Sequence, residues 1–292
     1  MQREREPMLK ERLDRLYRTF DGGYLRTDPL HFLYRYSDPG DQEVVGLIAS
    51  CLAYGRVDQI AGILESVLGT MGEHPLAFTS GFEPARQMHL FENLRYRFHD
   101  GRDIAALIYG IRQMVEGHGS IEGFFLSSIT SPESDIGDGL ENFSRNALEL
   151  DYTPLFPSRG SQSRGLSFFF PLPSRGSACK RLNLFLRWMV RRNDGVDLGL
   201  WRSIDPSDLI IPLDTHVSRI AYALGLTSFN KPCWKAAVQV TGSLAEFDPK
   251  DPVKYDFALS RLGILDACPS RRDDSKCRPC LLRDLCRFGN LP

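Results

Sequence analysis

A chain of 292 residues, 42% hydrophobic and 25% charged, has the make-up of a soluble globular protein and can bury one large core or two smaller ones. Its formal net charge of −1 argues against a simple polyanion-coating protein, although an even total can hide local asymmetry. No run approaches the roughly 18 apolar residues of a membrane span, and MQREREPMLKERLDRL has no apolar signal core, so a cytoplasmic, reducing home is expected.

In chain order, helical periodicity covers 7–20, 42–54, 57–70, 102–117, 138–149, 178–192, 216–224, 232–246 and 252–263. In QEVVGLIASCLAY, residues Val45, Ile48, Ala49 and Leu52 fall on one face, and Asp41 is the expected cap. Alternating strand patterns are scarce, and FFF at 168–170 is too short to build a sheet. The expected class is all-α. Between about 127 and 177 the composition turns to Ser, Gly and Pro, as in SSITSPESDIGDG and FPSRGSQSRG, which read as loops.

From Tyr152 to Asn193 there is no acidic residue. The same stretch carries Arg159, Arg164, Arg175, Lys180, Arg181, Arg187, Arg191 and Arg192, the pattern of a phosphate-facing surface. A solvated basic face with no partner would read the same way.

Further on, IIPLDTHVSRIAYALGL sets Asp214 between an apolar run and the stripe Val217, Ile220, Ala221 and Leu224. A carboxylate there can cap a helix beginning at Thr215 or His216, by accepting hydrogen bonds from first-turn N–H groups. Its second oxygen is then left for whatever lies opposite.

The C-terminal stretch CPSRRDDSKCRPCLLRDLC holds Cys268, Cys277, Cys280 and Cys286. Four thiolates this close in a reducing compartment point to a metal centre. Tetrahedral zinc favours two knuckle-like pairs, and only one C-x2-C is present, so a [4Fe-4S] cluster is the first expectation and zinc the alternative. Of the remaining three, Cys51 and Cys233 fall in helical patterns and read as core, and Cys179 reads as structural despite its basic neighbour Lys180.

Together these residues carry a resemblance. PLDTHVSRIAYALGL resembles the Val-Asp-Thr-His-Val segment of helix-hairpin-helix (HhH-GPD) DNA glycosylases of the endonuclease III superfamily, and the Leu-Gly-Ile segment leading into four cysteines is similar to their iron-sulfur loop. SACKRLNLFLRWMVRRNDGVDLGLW and DPVKYDFALSRLGI look more closely like the uncharacterised bacterial DUF2400 family, with the archaeal 8-oxoguanine DNA glycosylases as a further relative. The resemblance implies a two-lobed helical fold with a DNA groove between the lobes. One lobe comprises 1–39 and 206–292, with Asp214 and the cluster loop; the other, 40–205, ends in a modified hairpin with Lys180.

The activity implied is base-excision repair. Lys180 would be the amine nucleophile, with AP lyase activity following from its Schiff base. Desolvation or a nearby cation such as Arg181 would lower its pKa, and Asp214 would stabilise the transition state and handle protons. Hairpin amides near Gly176 and Ser177, with Arg175, would grip a phosphate. Tyr54 or Arg56 in AYGRVD would fill the gap left by the extruded base, His216 would support the DNA-facing side, and Trp188 and Trp201 read as core. The partner is double-stranded DNA with a damaged base, an oxidised purine such as 8-oxoguanine being favoured, and the protein is expected to be a nucleoid-associated monomer.

The hairpin departs from the superfamily's Leu-Pro-Gly-x-Gly pattern. It reads LPSRGSACK, with Ser174 at the first glycine and Lys180 four residues after Gly176. A non-catalytic DNA-binding protein that keeps fold and cluster is the alternative, and a redox sensor built on the cluster is a third reading.

Overall fold

The computed structural model describes residues 2–131, 133–157, 164–192, 194–269 and 271–288. Of the basic stretch, Arg159 lies outside the described residues. In chain order the helices are α1 (Gln2–Thr19), α2 (Pro39–Leu52), α3 (Val57–Met71), α4 (Pro75–Ser80), α5 (Pro84–Gln87), α6 (Gly101–His118), α7 (Ile121–Ser127), α8 (Ile136–Glu149), α9 (Arg164–Phe169), α10 (Lys180–Val190), α11 (Thr215–Leu224), α12 (Trp234–Ala245), α13 (Asp256–Ile264) and α14 (Asp274–Cys277). Among the described residues the β structure is one two-residue antiparallel ladder, pairing Arg95 with Asp100 and Tyr96 with His99. The fold is all-α.

Helix boundaries follow local chemistry. The cap of α2 is Asp38, which accepts from the N–H groups of Gly40 and Asp41 at 2.8 and 3.1 Å, with Pro39 at the first helical position. Asp41, the expected cap, lies inside the first turn and accepts instead from the Leu76 N–H at 2.7 Å, which ties α2 to the start of α4. The FFF segment mostly ends a helix, α9, rather than forming a strand. Of the pattern at 252–263, Pro252–Tyr255 is a 3-10 turn and the α-helix begins at Asp256.

The chain divides into two compact units: 1–24, 176–198 and 202–292 form one, and 25–175 with 199–201 form the other. In the second unit α2 is core along almost its full length, with Val44, Val45, Leu47 and Ile48 excluded from solvent. Its Glu43 carboxylate accepts from the first two N–H groups of α7, Ile121 at 3.0 Å and Glu122 at 2.8 Å, and from Trp201 Nε1 at 2.7 Å. Burial pushes the Glu43 carboxyl up, and these three donors hold it back. Gly101 begins α6 where a Cβ would stand 1.7 Å from the Phe91 carbonyl oxygen, so only glycine fits there.

In the first unit α10 is the central element. Every residue from Arg181 to Val190 is buried, Trp188 completely. α11 packs on α13, and α1 packs on α13 and on the 3-10 turn before it. The lobe boundary expected near residue 205 therefore moves, because α10 is held to the C-terminal helices by ion pairs described below, and Lys180 shares a unit with Asp214.

Candidate active site

Lys180 is the first residue of α10 and is half-buried. The approach to it is an unusual piece of backbone. Ser174 is anchored to Glu141 through its N–H at 3.0 Å and its hydroxyl at 2.8 Å, and Arg175 closes a short 3-10 turn with its side chain exposed. Gly176 then takes φ +79°, with nothing near its Cβ position, so its backbone angle and not space favours glycine there. Its carbonyl accepts from Trp234 N–H at 3.3 Å, at the start of α12. Ser177 Oγ accepts from Cys179 N–H at 3.1 Å. Cys179 itself is buried and left-handed at φ +46°, a conformation that costs a non-glycine residue about 1–2 kcal/mol, and it offers α10 no side-chain cap. Lys180 thus stands at a helix start to which the N-cap residue contributes no side-chain hydrogen bond.

Asp214 is the N-cap of α11 and accepts from Val217 N–H at 2.7 Å through Oδ1, as its sequence position implied. It is half-buried. The cap fixes the carboxylate on a helix that is itself fixed, since the vacant Cβ position of Gly263 in α13 is 2.4 Å from His216 Cβ, an approach no side chain at 263 could allow.

The charges of Lys180 and Asp214 both act on one group, Asp256, the first residue of α13. This carboxyl is 2% exposed and is pushed up to about 6, first by burial; the Arg187 guanidinium opposes the rise, the Asp214 charge adds to it and the Lys180 charge reduces it. Arg187 Nη1 donates to Asp256 Oδ2, while Oδ1 is buried without a hydrogen-bond partner among the described residues. Sequence reasoning passed over Asp256. Its signal was an aspartate heading the apolar pattern of DFALSRLGI, which alone reads as an ordinary helix start.

The basic stretch resolves differently from its expectation. Arg187 and Arg191 are each 1% exposed and face inward, not toward phosphate. Arg187 pairs with Asp197 at 3.1 Å and with Asp256, and Arg191 pairs with Asp194 at 2.8 Å, with Asp251 at 2.8 Å and with Asp197 at 2.5 Å. Burial pushes the Asp197 carboxyl up against the pull of both arginines; Asp194, also raised by burial, is brought below the usual carboxylate range by Arg191. The expectation failed because all four acids lie beyond the acid-free window, two just after it at 194 and 197 and two far along the chain at 251 and 256. Arg181 is also buried, at 8% exposure, so its predicted role as a DNA contact is not supported by its position.

Other predicted residues fall in varied places. His216, expected to support the DNA-facing side, is half-buried, and its Nδ1 is enclosed without a hydrogen-bond partner among the described residues. Tyr54 belongs to an aromatic cluster with Tyr96 at 4.8 Å, Phe98 at 5.8 Å and Phe168 at 4.8 Å between ring centroids, and its hydroxyl pairs with His99 Nδ1. A side chain held this way is packing as much as probe. Arg56 is exposed and pairs only loosely in solvent with Asp58 at 3.1 Å. Tyr54, Arg56 and Arg175 belong to one unit, and Gly176, Ser177, Lys180, Arg181, Asp214, His216 and the four C-terminal cysteines to the other. Trp188 and Trp201 are core, as is Cys51, whereas Cys233 sits half-buried at the N-cap of α12.

Cys268, Cys277, Cys280 and Cys286 are all free thiols and all half-buried. The first is pinned by its own N–H to the Leu262 carbonyl at 2.7 Å and by Arg219 Nη2 donating to its carbonyl. Burial pushes the Cys268 and Cys280 thiols up; Cys280 and Cys286 add to the rise at Cys268, and Cys286 and Cys277 add to it at Cys280. The thiols therefore share one electrostatic neighbourhood. Among the described residues, however, no three His, Cys, Asp or Glu side chains form a ready ligand group. Thiols are soft donors of the kind an iron-sulfur cluster or zinc takes, but the described residues do not gather these four into one ligand group.

Comparison with known proteins adds a family and little else. A family model described as a protein of unknown function, DUF2400, matches residues 28–265. No curated protein matches the chain. No solved structure matches it either. Among the described residues, no helix is long and apolar enough to cross a membrane.

Proposed function

The chain belongs to the DUF2400 family, whose function is unknown, and from that starting point we propose that it is a DNA base-excision glycosylase with AP lyase activity. The observation that carries this reading is that Lys180, at the start of α10, and Asp214, fixed as the N-cap of α11, stand in one compact unit. A nucleophilic amine and a carboxylate held in one neighbourhood are the two groups that displacement at a nucleotide's anomeric carbon requires.

In this reading the Lys180 nitrogen bonds to the sugar C1′ as the C1′–base bond breaks, and the bond's electron pair leaves with the base. Asp214, fixed by its cap, stabilises the positive charge that builds on the sugar. Loss of the nitrogen's proton and opening of the ring give a Schiff base. Removal of a C2′ proton then expels the 3′ phosphate, which is the lyase step. The start of α10 and the backbone of Gly176 and Ser177 would approach a backbone phosphate, since the positive end of a helix favours anions. An oxidised purine such as 8-oxoguanine remains the favoured base.

Cys268, Cys277, Cys280 and Cys286 would hold a [4Fe-4S] cluster, which when bound would supply a rigid tie for the loop that follows α13. Arg5 fastens the same tail region from α1, donating to the carbonyls of Leu224 at 2.7 Å and Leu285 at 3.0 Å.

The test is covalent. Purified protein incubated with duplexes carrying single lesions or an abasic site, with cyanoborohydride present, is expected to give a trapped protein–DNA adduct. Lys180→Gln is expected to lose the adduct while DNA binding persists. A wild type that binds DNA and never traps it would leave the non-catalytic reading in place.

A further inference from the structure

In the unit of residues 25–175 with 199–201, the antiparallel pair of Tyr96 and His99 closes a two-residue turn, Arg97-Phe98. Turns of this length favour Asn-Gly or Asp-Gly, whose backbones accept positive φ. This one carries Arg97 at φ +56°, in the left-handed region that favours glycine, with a phenylalanine after it. Both residues are exposed, Phe98 at 54%. Yet the Phe98 ring is held. It stacks on Tyr54, with centroids 5.8 Å apart and planes at 29°, and meets Phe168 edge-on at 4.6 Å. Tyr54 is fixed in turn by its hydroxyl on Nδ1 of the buried His99, whose ring lies parallel to Phe169 at 4.2 Å. His99 Nε2 faces the Gly165 carbonyl at 3.2 Å; a carbonyl only accepts, so Nε2 donates and Nδ1 of the neutral ring accepts from Tyr54. Phe98 is therefore the outer ring of a fixed aromatic stack.

Cations stand beside this ring. The Arg97 guanidinium lies over Gly55, 3.3 Å from where a Cβ would stand, and so next to the exposed Arg56. Arg97 makes no ion pair among the described residues. The acids nearest the turn are engaged: Asp58 pairs with Arg56, and Asp100 accepts from the first-turn amides of Arg102 and Asp103 in α6. We propose that Phe98 and Arg97 form a binding site for an unpaired nucleotide of single-stranded nucleic acid. The base stacks on Phe98, and Arg97, with Arg56, takes the flanking phosphate. Every base has a π-face that such a ring accepts, whatever its sequence, and a guanidinium matches phosphate in both charge and geometry. A purely apolar partner would cover Arg97 and leave its charge without water or a counter-ion. This surface belongs to the unit that lacks Lys180 and does not depend on the chemistry proposed for that residue.

The experiment is fluorescence anisotropy of the full chain with a labelled DNA single strand of about 15 nucleotides, and with the blunt duplex of the same sequence. Phe98→Leu keeps an apolar side chain and removes the ring face. It is expected to weaken single-strand binding about five- to 100-fold, the worth of one stacked base, and duplex binding by less than about twofold. Phe98→Trp, which keeps a stacking face, is expected to stay within about threefold of wild type on the single strand. Arg97→Gly suits the left-handed backbone, so it should melt no lower than wild type. Its single-strand affinity should fall, and the slope of log affinity against log salt should drop by about 0.7, the loss of one phosphate contact. A wild type that does not bind the single strand overturns the proposal. So does a Phe98→Leu variant that binds it as wild type does. Self-association of wild type that Phe98→Leu abolishes, with strand binding unchanged, would assign the surface to a second copy of the chain and overturn it equally.

Discussion

At Asp214 two properties of one side chain can be separated by two substitutions. Asparagine caps a helix about as well as aspartate, so Asp214→Asn should keep the bond from Val217 N–H and leave thermal stability within about 0.5 kcal/mol of wild type. It removes the charge, so adduct formation should fall at least tenfold. Asp214→Ala should show the same loss of trapping plus about 1 kcal/mol of destabilisation from the missing cap. Equal trapping by Asp214→Asn and wild type would reduce Asp214 to a cap. Asp256 contributes differently to stability. Its folded titration lies above its unfolded value of 3.8, so its contribution is fully present below about pH 4 and is lost as pH rises through about 6. Urea melts should therefore show a stability decline across pH 4–6 that Asp256→Asn lacks.

Individual elements are held by a few buried polar contacts. The start of α7 has its first two N–H groups on Glu43 and a third donor from Trp201 on the same carboxylate. Glu43→Ala removes the acceptor and leaves three donors facing a void, which should cost on the order of 3–5 kcal/mol. Calorimetry should show the loss, and a change under about 1 kcal/mol would mean water replaces the carboxylate freely. α10 is anchored by the four aspartates around Arg187 and Arg191. Arg191→Met should destabilise by on the order of 3–5 kcal/mol, since Asp194, Asp197 and Asp251 would lose their shared counter-ion. An Arg191→Lys variant is expected to recover only part of this, because one ammonium cannot match a fork that reaches three carboxylates.

For the whole chain, the C-terminal loop is held by polar contacts from residues distant in sequence. The tail is tied to the body by Arg5, by Arg219 on Cys268 and by Arg287 N–H on the Ala223 carbonyl at 2.9 Å. If the four thiols hold a cluster, anaerobically purified protein should be brown and contain about four irons. Cys280→Ser should lose the colour and raise proteolytic cleavage within 268–286, while helix content changes little. Colourless protein with one bound zinc would assign the same ligands to the alternative metal.

Much of this protein was readable from local pattern. Eight of the nine helical stretches expected from periodicity match one long helix each, because a 3.6-residue apolar repeat can be buried in only one way. The ninth, at 252–263, is split by the turn at Pro252–Tyr255. The Asp214 cap was legible because a cap acts over three residues. The four-cysteine set was visible as spacing. Contacts distant in the chain were not legible. The acid-free run looked like a phosphate surface until the partners of Arg187 and Arg191 came in from positions up to 69 residues away. Asp256, one carboxylate among 37 acidic residues, had nothing local to mark it. By itself the sequence determined the helical class, the capping aspartate and the thiol set, since each is set by neighbours in the chain. Only the tertiary structure decided that α10 is buried, that Lys180 and Asp214 share a unit, and that both act on Asp256. The reason is physical: a charge's role depends on what faces it and how much water is excluded, and both are fixed only when remote segments pack.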